Sequence, residues 1–465
     1  MPKVTAVFRC DECGNEVAKW LGRCPECQAW GTIAEVGARA GSTATAGPVS
    51  APARPIAQIA ADGAAHRPTG IAELDRVLGG GLVPGSVVLL AGEPGVGKST
   101  LLIAAAAQVA SEGRRCLVIT GEESAAQVRL RAGRVGALAD ELYLAAETDL
   151  SAVLGHVETV KPDVLIVDSV QTIGSAGIEG TPGGVTQVRE VAAALTRVAK
   201  ERGIATVLVG HVTKDGSIAG PRLLEHLVDV VLHFEGDRHS RLRLVRTVKN
   251  RFGPADEVGC FDLTDDGIVG LADPSGLFLS RSTDPVPGTC VTVSMEGRRP
   301  LLAEVQSLVA KSVIPVPRRA TSGLDSARFA MILAVLQRRC NYNLFNQDIY
   351  AATVGGVRLV EPAADLALAL ATAGGFSDRA LPADLVVIGE VGLAGEVRRV
   401  AGVAPRLQEA ARLGFTEALV PTGCGARVDG MRVREVADLQ SALRSLGRPA
   451  TVDAGADVVR LETVL

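Results

Sequence analysis

Aromatic side chains are scarce in this sequence. Its 465 residues include 2 Trp, 3 Tyr and 9 Phe, 3% in all, which leaves little material for base-stacking platforms, so charge and backbone contacts dominate any hold on nucleic acid. Lysine is scarce as well, outnumbered by arginine 40 to 8. Lys98, Lys214 and Lys249 therefore carry more information than their type alone, because a compact ammonium meets phosphate as a point charge where a planar guanidinium fits differently. No excess of positive charge exists: the net charge of −4 excludes a uniformly basic nucleic-acid binder and confines any such site to a local patch or ring lining. Long apolar runs are missing too, none reaching the roughly 18 uninterrupted residues of a spanning helix. The opening Met-Pro-Lys leads into no apolar signal core. No membrane partner is expected, and a cytoplasmic, nucleoid-associated location is.

What is present reads as ordinary globular protein, 47% hydrophobic and 22% charged. At about 150 residues per domain the length suggests roughly three units. Residues 1–32 are compact and punctuated by cysteine, while 33–66 are dominated by Ala, Gly, Pro, Ser and Thr and read as a flexible linker. From 67 to 274 the strand-like runs SVVLLAG, RCLVIT, DVLIVD, ATVLVGH and VDVVLHF alternate with helical patterns such as LLIAAAAQVA and REVAAALTRVAKERG, the signature of a parallel α/β sheet. After the Gly/Pro-containing passage DPSGLFLSRSTDPVPG the pattern restarts, giving a separate α+β domain over 275–465 with a long helix near 324–340.

Four of the nine cysteines form two C-x2-C knuckles, Cys10-Asp-Glu-Cys13 and Cys24-Pro-Glu-Cys27, ten residues apart. Four thiolates from two such turns suit tetrahedral Zn²⁺, and four sulfur ligands leave no open position for substrate, so the zinc is expected to be structural. Two disulfides or four free thiols are the alternative. Cys116, Cys260, Cys290, Cys340 and Cys424 stand singly and read as buried small hydrophobes.

Gly92-Glu93-Pro94-Gly95-Val96-Gly97-Lys98-Ser99-Thr100 fits the phosphate-loop pattern directly after a strand-like run and before a helical one. Its glycines let backbone N–H groups turn toward phosphate, Lys98 reaches the outer phosphates, and Ser99 offers a hydroxyl to Mg²⁺. The cofactor expected is ATP with Mg²⁺. Asp168 ends VLIVD and at the carboxyl edge of a parallel sheet is placed to hold Mg²⁺ through water; otherwise it is a solvated strand terminus. Glu122 and Glu123 follow CLVITG, where one carboxylate orients the attacking water and the other suits a helix start. His211 ends ATVLVG, in position to sense a γ-phosphate.

The zinc ribbon, GEPGVGKST, VLIVDSVQT, HVTKDGSIAGPRLLEH and above all Lys249-Asn250-Arg251-Phe252-Gly253 resemble the bacterial RadA (Sms) family of DNA repair proteins over essentially the whole chain. The resemblance implies a RecA-like P-loop ATPase core, a zinc ribbon before it and an α+β Lon-protease-like domain after it. It also implies a DNA-dependent ATP hydrolase that forms homohexameric rings on single-stranded DNA and drives branch migration of recombination intermediates, with a recombinase or replicative helicase as a further partner. Lys249 and Arg251 match positions that reach a neighbour's γ-phosphate, and Gly174 to Glu190 and Lys214 to Arg222 match DNA-binding loops. The rival readings are an ATP-switched helicase loader and an ATP-dependent protease. In the Lon-like half Ala363 stands where a serine nucleophile belongs and Ala404 where the lysine base belongs, with no lysine after Lys311, so dyad chemistry is not expected.

Overall fold

The computed structural model describes residues 7–36, 53–58, 65–211, 221–236, 241–280 and 285–445. It forms two compact units, Met1–Ala61 and Asp62–Leu465. Three short strands, β1 (Val7–Cys10), β2 (Glu16–Val17) and β3 (Ile33–Val36), make the ribbon, β1 pairing antiparallel with both others. The ribbon thus runs past the expected end at Thr32 to Val36. Each knuckle closes with a residue of positive φ, Gly14 at 74° and Gln28 at 61°, which brings the N–H of Gly14 onto Cys10 O and that of Gln28 onto Cys24 O. Of the expected linker, Ile56–Gln58 form one 3₁₀ turn, and 37–52 and 59–64 lie outside the described residues.

The second unit begins with α1 (Ala72–Leu78), β4 (Val87–Gly92), α2 (Lys98–Ser111), β5 (Cys116–Thr120) and α3 (Ala125–Arg134). There follow β6 (Leu142–Ala146), α4 (Leu150–Val160), β7 (Val164–Asp168), α5 (Val185–Arg202), β8 (Ala205–His211) and α6 (Pro221–Leu224). Four antiparallel-linked strands complete the sheet: β9 (Val230–Gly236), β10 (Leu242–Asn250), β11 (Val258–Thr264) and β12 (Gly267–Gly270). The order is β12-β11-β10-β9-β4-β8-β7-β5-β6, parallel from β9 to β6 and antiparallel beyond.

Helices cover both faces, which is why β4 and β5 are buried throughout. Alternation sends Val88 and Leu90 of β4 into one apolar cluster with α2, and Val87 and Leu89 into the other with α4 and α5. Each such buried aliphatic side chain contributes about 1.5–3 kcal/mol. Because β8 and β7 insert between β4 and β5, the carboxyl ends of all four strands frame one crevice, the usual ligand position of such a sheet.

The remaining elements are β13 (Thr289–Glu296), β14 (Arg299–Lys311), β15 (Arg319–Ser322), α7 (Ser326–Arg339), β16 (Gln347–Thr353) and α8 (Asp365–Phe376). After them come β17 (Leu385–Val387), β18 (Glu390–Val391), β19 (Val397–Arg398), α9 (Val403–Arg412), β20 (Glu417–Pro421), β21 (Arg432–Val436) and α10 (Leu439–Ser445). They build a mixed sheet, β15-β16-β14-β13-β17-β20-β21. Its central helix α8 is apolar and buried nearly all round, as LALALATA dictates. A buried ion pair ties β14 to α1: Arg299 meets the Glu73 carboxylate, which also accepts from the Cys260 N–H at 2.8 Å. Val258 and Cys260 of β11 moreover sit in the same apolar cluster as α7 and α8.

Candidate nucleotide site and metal centre

The phosphate loop joins the end of β4 to the start of α2. Gly92 is obligatory because a Cβ there would lie 2.5 Å from Phe234 O, and Gly97, at φ 115°, caps α2 in a conformation that side chains resist. No side chain caps α2, so its first N–H groups and its positive dipole end serve the loop. Lys98 is 4% exposed, and its Nζ donates to Gly92 O at 2.8 Å and Glu93 O at 2.9 Å. Burial pushes its pKa down, against the pull of Asp168 and Glu122. Asp168, at the end of β7, is moved the other way by burial, while the Ser99 hydroxyl donates to its carboxylate. A hydroxyl already turned to a strand-end carboxylate is a donor set suited to Mg²⁺. Thr100 continues α2.

Neighbouring Glu122 and Glu123 part company. Glu122 Oε1 accepts from the buried Ser169 hydroxyl at 2.7 Å and stands 2.9 Å from His211 Nε2. That single oxygen thus gathers contacts from the ends of β7 and β8, facing Asp168 and Lys98. Glu123 turns instead to Arg131 on α3, with its N–H on Thr120 Oγ1 at 3.1 Å, and precedes the Ser124–Gln127 capping box of that helix. Sequence reading did not single out Ser169 or Arg131. The signals were there: a hydroxyl directly after the strand-end aspartate, and an opposite charge two helical turns beyond Glu123. The Asp168–Ser169 peptide is cis.

Lys249 and Arg251 are not brought to this crevice. Asn250 is in register with Val230 of β9, and Val230 with Val88 of β4, four residues before Gly92; the phosphate loop is about 13 Å further along the strand direction. There Lys249 Nζ donates to Glu225 O at 2.7 Å and Val228 O at 2.8 Å, and Arg251 pairs with Asp229 at 3.2 Å while 54% exposed. Burial and the neighbouring Arg251 charge lower the Lys249 pKa. The rest of the KNRFG run is packing: Asn250 donates to Leu78 O at 3.1 Å, and a Cβ on Gly253 would sit 3.1 Å from Gly79 Cα. Gly174 to Glu190 leads from β7 into α5, held by Gln187, whose side chain bonds Ser175, Ile178 and Gly180. Of the expected loop Lys214 to Arg222, residues 214–220 lie outside the described residues.

In the ribbon the Sγ atoms of Cys10, Cys13, Cys24 and Cys27 all lie within 4.8 Å of one another, with Cys10 to Cys27 and Cys13 to Cys24 at 3.6 Å. Four thiolates about 2.3 Å from one zinc stand about 3.8 Å apart, so the array fits that ion. The Thr32 hydroxyl, aided by the N–H groups of Cys13 and Glu12, holds the Cys10 thiol down to about 6.

In the C-terminal domain Ala363 is buried at the entry to α8, and Ala404 is exposed on α9. The polar group beside them is Arg406, fully buried. It pairs with both oxygens of Glu361 and donates to Ala401 O at 3.1 Å. The Ser294 hydroxyl at 3.3 Å and the Met295 N–H at 2.9 Å both donate to Glu361, so the carboxylate is occupied by Arg406 and by these two donors.

An AAA domain matches residues 53–217, a rubredoxin metal binding domain residues 8–35, and subunit ChlI of Mg-chelatase residues 355–423. Together they describe an ATP-binding AAA-type core between a zinc ribbon and a ChlI/Lon-like domain. The DNA repair protein RadA of Mycolicibacterium smegmatis is 54% identical over 462 residues, 97% of this chain and 99% of that protein. The DNA repair protein RadA of Mycobacterium tuberculosis is 55% identical over 96% of this chain and 94% of its own length, and that of Streptococcus pyogenes 46% identical over 96% and 100%. With identity of this order along the full length of its relatives, the chain belongs to the DNA repair protein RadA family.

Proposed function

We propose that this chain is a DNA-dependent, helicase-like motor that works in the cytoplasm at the nucleoid. In this reading it promotes branch migration of recombination intermediates from homohexameric rings whose ATP sites are completed by neighbouring subunits. The observation that carries the reading is the displacement of Lys249 and Arg251 to the sheet end opposite the phosphate loop. Cations so far from their own chain's nucleotide site serve a γ-phosphate only from the next subunit, the arginine-finger arrangement that couples hydrolysis to movement between subunits.

Within one chain the geometry supports the following roles. The loop N–H groups and Lys98 hold the β- and γ-phosphates. Ser99 and Asp168 are the residues that would hold Mg²⁺, which when bound neutralises charge developing on the phosphates. Glu122, fixed by Ser169 and His211, orients the attacking water, and His211 is placed to register the γ-phosphate. The loops 174–190 and 214–222 contact single-stranded DNA. A recombinase or a replicative helicase is the protein partner this activity calls for.

Mixed rings provide the test. Lys98→Ala and Lys249→Ala proteins each turn over ATP poorly alone. When they are mixed before assembly, some sites combine an intact phosphate loop from one chain with an intact Lys249 from the other, and part of the DNA-stimulated turnover returns. Absence of any recovery in rings shown to be mixed counts against the shared site. Full strand displacement on branched DNA by Lys249→Ala alone counts against coupling.

A further inference from the structure

Scarcity of aromatics makes their placement informative. Both tryptophans of the chain, Trp20 and Trp30, lie on the ribbon, and they are 63% and 75% exposed. The small ribbon core, Cys10, Cys24 and Ile33 with Phe8 and Val17 against it, uses neither ring. Their stations are fixed by a short pairing in which Arg23 bridges Trp30 and the Gly31 N–H donates to Gly22 O at 2.9 Å. A Cβ on Gly22 would lie 3.9 Å from each indole, so both rings approach one point free of side chain and their nearest atoms are at most twice that distance apart. Arg23 stands 5.6 Å from the centre of the Trp30 ring and is itself anchored on Gln28 by bonds of 2.8 and 2.7 Å. Trp30 is thereby steadied by a cation.

We propose that Trp20 and Trp30 form a platform on which unpaired bases of single-stranded nucleic acid stack. The inference rests on the DNA reading given above. Loops 174–190 and 214–222 contain no aromatic residue; they offer a strand backbone contacts but no π-face, and the ribbon supplies the missing half of single-strand recognition. Charge points to bases and not phosphates as what is met here. Arg9, Lys19 and Arg23 are outnumbered by the exposed Asp11, Glu12, Glu16 and Glu26, and Arg9 is tied to Glu16. Contacts of this kind depend only weakly on salt, whereas phosphate contacts release counterions and weaken steeply.

Because the chain has no other tryptophan, indole emission of the full-length, zinc-loaded protein reports the ribbon alone. Titration with oligothymidylate is expected to quench it in step with binding, and an abasic oligodeoxyribose phosphate of equal length is expected not to. Trp20→Ala with Trp30→Ala should weaken oligothymidylate binding about tenfold; Trp20→Phe with Trp30→Phe should keep most of it, and zinc content verifies that each ribbon is folded. Emission that stays constant while a labelled strand binds, equal quenching by the abasic strand, or a response to a protein partner alone each overturns the proposal. Failure of the wild type to bind any single strand removes the DNA reading as well, which sets the two failures apart.

Discussion

Two buried cations, Lys98 in the ATPase core and Arg406 in the C-terminal domain, both lie in the first turn of a helix. They differ in their partners. Lys98 holds two neutral main-chain carbonyls, with the carboxylates of Asp168 and Glu122 acting on it across the crevice. Arg406 takes both oxygens of Glu361 and main-chain carbonyls besides. An ammonium whose direct partners are neutral retains its affinity for an anion, whereas a guanidinium neutralised by a bidentate carboxylate has none left over. Lys98 is thus left open to an anion, whereas Arg406 is a structural pin.

The sharpest way to break this contrast is to remove each cation. Lys98→Ala should lower ATP turnover on the order of a thousandfold, because it takes away a preorganised charge at the transferring phosphoryl group. Only a modest change in the denaturant midpoint should accompany it, since of the two carbonyls it leaves that of Gly92 is buried but that of Glu93 belongs to an exposed residue. Phosphate release measured beside a urea titration separates the effects. A large loss of stability would mean that Lys98 is as structural as Arg406.

Arg406→Met should behave in the opposite way. Removing Arg406 takes away the bidentate partner of Glu361, which is left with only the Ser294 hydroxyl and Met295 N–H on one oxygen, at a cost of about 3 kcal/mol in the unfolding free energy of the C-terminal domain. Arg406→Met with Glu361→Gln should recover much of that, while ATP turnover per folded chain stays near that of the wild type. Equal destabilisation by the single and double variants would show that packing of the long side chain, not charge pairing, is what matters.

How far the sequence told this difference in advance depends on the range of the interactions. The phosphate loop was legible because its glycines, lysine and serine act within nine consecutive residues whose backbone must take one shape. The zinc knuckles were legible for the same reason, and the alternation of strand-like runs with helical patterns over 67–274 declared the parallel sheet of the core. Arg406 was not legible, because its partner Glu361 lies 45 residues earlier and an arginine in GVAPRLQEAA reads as a solvated helix face. One sign existed: Val403, Leu407 and Ala410 form the buried stripe of α9, and Arg406 falls on that same stripe. Lys249 and Arg251 could be picked out by type and motif, but their distance from the phosphate loop depends on a register through β9 that no local pattern encodes.

Glu122 and Glu123 pose the contrast at its smallest scale, two identical side chains one residue apart. Sequence reading left open which of them activates water. Glu122 shares its Oε1 between Ser169 and His211 at the mouth of the crevice, whereas Glu123 pairs with Arg131 at the start of α3. Glu122→Gln should therefore reduce ATP turnover about a hundredfold with nucleotide affinity preserved, as loss of a general base requires. Glu123→Gln loses only a partly exposed ion pair worth under about 1 kcal/mol, so its turnover should fall by no more than a few-fold. Ser169→Ala lies between them: Glu122 keeps its charge but loses a donor that fixes its direction, so turnover should drop without a change in nucleotide affinity. If Glu123→Gln is the crippled variant, the partition between chemical and structural carboxylates at the end of β5 is reversed, and Arg131 becomes the residue that positions the base.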